Sequence, residues 1–136
     1  MSLAVDYTSF SAARDNLKKV LDAAGDGRSV TISRGSQVSV VADGERLRQY
    51  LCSTISANPQ VWIESAAVGI ALSDLPFVAE AASVENAMTD LVLQLREYAE
   101  DWETRLLHAP NHANNWGLVQ LVKLSTDTQL LSWLEA

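Results

Sequence analysis

Apolar residues at Phe10, Ala13, Leu17, Val20, Leu21 and Ala24 recur at spacings of three and four, the mark of an amphipathic helix. The spacing predicts that helix to open at Thr8-Ser9, whose hydroxyls suit a cap, and to stop at Gly25-Asp26-Gly27. Arg14, Asp15, Lys18, Lys19 and Asp22 fall outside the stripe and are expected to meet solvent. A short strand over residues 3–7 (LAVDY) precedes the helix. After it the period changes to two. Val30 and Ile32 alternate with polar neighbours, as do Val38 and Val40, and Arg34-Gly35-Ser36 between them supplies turn chemistry, so a β-hairpin is predicted. Asp43 then caps a short helix running to Leu51. The first fifty residues thus read β-α-β-β-α.

The polar stretch Ser53 to Gln60 (STISANPQ) marks the boundary to a second region. Residues 61–63, 68–72 and 77–79 read as strands, the last after the turn Ser73-Asp74-Leu75-Pro76. Ser83 caps the longest predicted helix, with Glu85 in its first turn favouring the helix dipole and a helical period kept to about Leu107. His108-Ala109-Pro110-Asn111 breaks it; a helix around Trp116 to Val122 and a last one capped near Ser125 follow. The fold class expected is α+β, with domains at residues 1–52 and 60–136.

Composition narrows the function. The chain has 136 residues, 48% hydrophobic and 20% charged, enough to build a core. No apolar run reaches the roughly 18 residues of a membrane helix, and the N-terminus lacks the pattern of a secretory signal, so a cytoplasmic protein without a membrane partner is expected. Its one cysteine, Cys52, excludes an internal disulfide framework. The net charge of −7 is unevenly spread: residues 1–51 hold seven basic and six acidic side chains, residues 52–136 three and eleven. Such asymmetry fits a nucleic-acid-facing half joined to one that meets a basic partner.

Catalytic chemistry finds little to stand on. The glycines of Gly25-Asp26-Gly27 follow a helix, the wrong context for a phosphate loop. Cys52 is a packing residue on this reading, and His108 and His112, separated by Pro110, a loop pair. Glu64, Asp74 and Glu80, on or beside strands, are the one set that a metal-dependent nuclease would use; solvated strand edges explain them more simply, and neither metal nor cofactor is expected. The basic residues say more. Arg14 sits in the second turn of the first helix and Arg34 at the hairpin turn; paired by a dimer twofold, both would be repeated on one face and meet successive DNA grooves.

The stretches VDYTSFSAARDNLKKVLDAA and VTISRGSQVSVVADGERLRQYL resemble the Phd/YefM antitoxins of bacterial toxin–antitoxin pairs. They carry S-x-A-R-x-N-L, an I-S-R strand, a glycine-centred turn, an apolar strand and a helix ending in aromatic-Leu, over residues 3–51. The resemblance implies a dimeric, operator-binding module that represses its own operon, with Arg14 and Arg34 contacting DNA; Lys18 and Arg28 are further cations expected at that surface. SDLPFVAEAASVENAMTDLVLQLREYAEDW is similar to a HicB-type antitoxin domain, the match carried by Asp74, Leu75, Pro76, Ala87, Leu91, Leu95 and Tyr98. Phe77 stands where that pattern usually has glycine. This resemblance implies a small β-sheet with helices that covers a cognate toxin, a small basic ribonuclease-type protein, without catalysis. Trp102, Trp116 and Trp133 are the expected toxin contacts. The sum is a type II antitoxin, a homodimer or higher even oligomer, that binds operator DNA and occludes its toxin. The alternative is a DNA-binding transcriptional regulator with no toxin partner.

Overall fold

The computed structural model describes residues 4–136; the chain divides into two compact units, one up to Leu47 and one from Arg48. The fold is α+β. Leu3, the first residue of the expected strand, lies outside the described residues.

In the first unit Ser9 caps α1 (Phe10–Asp15), its hydroxyl accepting from the Ala12 amide at 3.1 Å. The predicted single helix is broken. Asn16 leaves helical geometry, donates its side-chain amide to the Ala12 carbonyl at 2.8 Å, and α2 (Leu17–Gly25) starts behind it. An asparagine side chain that competes for backbone hydrogen bonds is a physical cause for such a break. β1 (Val30–Arg34) and β2 (Gln37–Val41) form the antiparallel hairpin, closed by Gly35 at a φ of 62° that glycine adopts freely. Among the described residues of the expected first strand there is a single bridge, Tyr7 pairing in parallel with Ile32. Asp6 secures it, its carboxylate accepting from the amide and hydroxyl of Thr31. Ala13, Val20, Ala24 and Val30 make the small core; the other apolar positions of the helical stripe, Phe10, Leu17 and Leu21, stay more than half exposed.

α3 (Gly44–Thr54) begins in the first unit and ends in the second. Asp43 caps it through the Arg46 amide at 3.0 Å. The second unit carries a meander of β3 (Pro59–Glu64), β4 (Ala67–Leu72) and β5 (Val78–Ala81), antiparallel in the order 3-4-5. Its long helix α4 (Val84–Asp101) is capped by Ser83 and runs on as a π-helical turn, Trp102–Leu106. α5 (Trp116–Leu124) and α6 (Asp127–Glu135) follow, and the cap of α6 is Thr126, which with Gln129 forms a capping box. α4 packs against β4 and β5 and also against α5 and α6. Covered on two sides, it buries a broad set, Ala87, Met88, Leu91, Val92, Leu95 and Ala99. Phe77 is buried edge-on against Tyr98, with ring centroids 5.4 Å apart, and fills the core beside the helix.

Candidate nucleic-acid interface

Ser9 starts α1 so that Phe10 and Arg14, four residues apart, share a face of the helix. Arg34 closes β1 opposite Gln37, at the hairpin end, and α1 packs against that strand. The two arginines therefore meet at one ring. The Arg14 guanidinium carbon lies 5.9 Å from the Phe10 centroid and that of Arg34 lies 5.8 Å from it, both within cation–π range. The ring is 57% exposed. Arg14 also donates to the neighbouring Asp15 carboxylate, at a long 3.4 Å and in full view of solvent. Such an exposed contact holds weakly.

The other two cations of the expected set stand apart from this pair. Lys18 lies beyond the break at Asn16 and reaches Asp22 one turn on, at 2.8 Å, with both side chains exposed. Arg28 precedes β1 whereas Arg34 ends it, so six residues of near-extended chain, about 20 Å, separate them. Arg28 borders a shallow cleft with Asp6, Tyr7 and Lys19. Its place in the apolar stripe marked Phe10 as core; the structure instead leaves it exposed beside both arginines, and its position four residues before Arg14 is the signal that could have found that contact.

The three tryptophans expected to meet a toxin separate in the same way. Trp102 is 3% exposed and its indole N–H donates to the His112 carbonyl at 2.8 Å. Trp133 is 4% exposed and donates to the Ile55 carbonyl at 2.7 Å. Both are buried core residues with their indole N–H groups satisfied. Trp116, at the start of α5, is 52% exposed.

Of the carboxylates considered for a metal, two share a cleft and the third stands elsewhere. Glu64 and Glu80 border one cleft with Trp62 and Gly69, while Asp74 stands in the turn between β4 and β5. Among the described residues no three His, Cys, Asp or Glu side chains are grouped to hold a metal ion. His108 is exposed and His112 lies inside a small network, its Nδ1 2.8 Å from the Tyr98 hydroxyl, to which Asn115 also donates at 2.7 Å. Cys52 is half-buried. Among the described residues no helix is long and apolar enough to cross a membrane.

No protein-family model and no curated protein matches the chain. Among solved structures, one from Syntrophomonas wolfei subsp. wolfei, described as an antitoxin part of a proposed toxin/antitoxin system, is similar with a TM-score of 0.80. The match covers 95% of this chain and 96% of that one at 16% sequence identity, and is therefore a likeness of fold.

Proposed function

We propose that the chain is the antitoxin of a type II toxin–antitoxin pair: its first unit binds operator DNA as a homodimer and represses its own operon, and its second unit occludes a cognate toxin. The observation that carries the reading is the meeting of Arg14 and Arg34, from two separate elements, on one exposed aromatic ring. Two guanidinium groups at the tip of a small hairpin unit match what a duplex needs, because arginine bonds phosphates and guanine edges with the same planar fork. The Phd/YefM-like sequence of residues 3–51 and the fold likeness to a described antitoxin support it. Lys18 and Arg28, set apart from the pair, serve as flanking phosphate contacts.

The second unit holds eleven acidic and four basic side chains, so a basic toxin is steered toward it. Trp116 is its exposed aromatic anchor. Occlusion asks for surface and charge, with no reacting group.

Binding of the chain to its own promoter fragment at low salt, followed by fluorescence anisotropy, tests the reading. Arg14→Ala and Arg34→Ala are each expected to weaken binding by about 1–3 kcal/mol where the arginine reads a base. Toxin neutralisation in co-expression is expected to survive both substitutions and to be lost with Trp116→Ala. A monomer with no affinity for the fragment defeats the operator-binding part. A chain that binds the fragment but protects no cell from the product of the adjoining reading frame is a regulator without a toxin.

A further inference from the structure

We propose that Phe10 is a positioning residue that holds Arg14 and Arg34 together as one preformed guanidinium pair; the role rests on the DNA-binding reading of that surface. Three observations carry it. Phe10 opens α1 with its ring 57% exposed, so the ring contributes little to the core of its own unit. Both guanidinium carbons stand at nearly the same distance from its centroid, 5.9 and 5.8 Å, although one side chain comes from a helix and the other from a strand end. Among the described residues Arg14 pairs with the carboxylate of its sequence neighbour Asp15, at the limit of hydrogen-bond distance, and the ring is the element that the two arginines share.

The physics is simple. Two guanidinium groups brought to one place repel each other, and each is a long, mobile side chain whose freedom is lost when DNA binds. An aromatic quadrupole attracts both cations, and arginine, weakly hydrated and planar, settles against a ring at little desolvation cost. The ring thus offsets the repulsion and orders the pair before the duplex arrives. Aliphatic bulk cannot do this, having no quadrupole. Phenylalanine to leucine therefore separates the role from mere packing, and phenylalanine to tyrosine preserves it.

The test has a DNA-free and a DNA-bound arm on the full chain. In the free protein, the Nε–H resonances of Arg14 and Arg34 are expected to carry a ring-current shift that Phe10→Leu removes from both and Phe10→Tyr keeps, with the melting temperature unchanged. With the promoter fragment, Phe10→Leu is expected to weaken affinity about five- to thirty-fold, as two exposed cation–π contacts predict, and Phe10→Tyr to restore it. In the Phe10→Leu background, Arg14→Ala and Arg34→Ala are expected to cost less than in the wild-type chain, because the pair is already dispersed. Unmoved resonances, or additive losses and equal affinity in a wild-type chain that does bind, overturn the role of Phe10 and leave the DNA-binding surface standing. Shifted resonances with no binding by the wild-type chain keep the pair but overturn the reading of the surface, and with it the assignment to DNA.

Discussion

At the scale of single residues, the second unit's sheet shows how much a small side chain carries. Gly69 lies opposite Trp62 in the β3–β4 register, and a methyl group on it would fall inside the space of the indole ring. A rigid ring that must move from a pleated face cannot give by a few tenths of an ångström, so Gly69→Ala forces Trp62 toward solvent. The substitution is expected to destabilise the chain by about 1–3 kcal/mol, the range of overpacking, measured by urea unfolding. In a Trp62→Ala background the same change is expected to cost less than half as much; equal costs in the two backgrounds would show that the indole is not the obstacle. Neither residue advertised this pairing in the sequence, where Gly69 lies within an apolar strand run and Trp62 within another. Register made the pair, and register follows from the two-residue turn at Ser65 and Ala66, both at positive φ, 51° and 66°. Turns of that hand usually carry asparagine or glycine, so Ser65-Ala66 carried no turn signal.

The scale of elements is where periodicity succeeded most. Ser9, Asp43 and Ser83 each cap the helix predicted to begin after them, and the hairpin turn falls on Gly35 and Ser36 as the alternation of valines required. What escaped was local competition. The break at Asn16 comes from a side chain capturing a backbone carbonyl, which leaves the apolar spacing on either side intact. The end of α4 holds a second such feature, the π-helical turn, spanned by a bidentate contact from Arg105 to Asp101 at 3.1 and 2.7 Å. The hydrogen bonds from Arg105, and then its charge, hold the Asp101 carboxyl below its ordinary value. A carboxyl lowered in the folded state lends stability above the unfolded carboxylate range, near pH 4, and loses it as pH falls through the folded value. The melting temperature of Asp101→Asn is therefore expected to lie slightly below that of the parent at neutral pH and to meet it once the pH has fallen through the lowered carboxyl's own titration. Both groups are exposed, so the gap is small and shrinks in high salt. A gap that persists undiminished at the acid end would show that Asp101 acts through packing.

For the molecule as a whole, the two units solve the problem of burial differently. The second seals a large core, with Ile70, Leu91, Leu95, Leu121, Leu130 and Leu134 shut off from solvent, while Val61, Ile63 and Val78 on its sheet stay exposed. The first leaves Leu17 and Leu21 exposed along α2 and Val38 and Val40 exposed on β2, around a core of three alanine and valine positions and Val30. A unit of 47 residues with so little enclosed surface sits near the lower limit of independent folding, and the exposed stripe is the surface that a second copy would cover. The sequence displayed the stripe but not its division, because periodicity counts apolar positions and cannot tell which of them meet a partner from which meet the chain's own hairpin. If the proposed homodimer forms there, the first unit's stability depends on concentration: each tenfold dilution costs the associated state about 1.4 kcal/mol and lowers its unfolding temperature by several degrees. Leu21→Lys places a charge on the stripe at a position already exposed within its own unit. It is expected to yield a monomer in sedimentation, to lower the unfolding of the first unit and to leave that of the second unchanged. With the twofold gone the arginine pair is no longer duplicated, so the variant should also lose promoter affinity while Arg14 and Arg34 stay intact. A Leu21→Lys chain that sediments and binds DNA as the parent does would place the dimer contact elsewhere on the molecule.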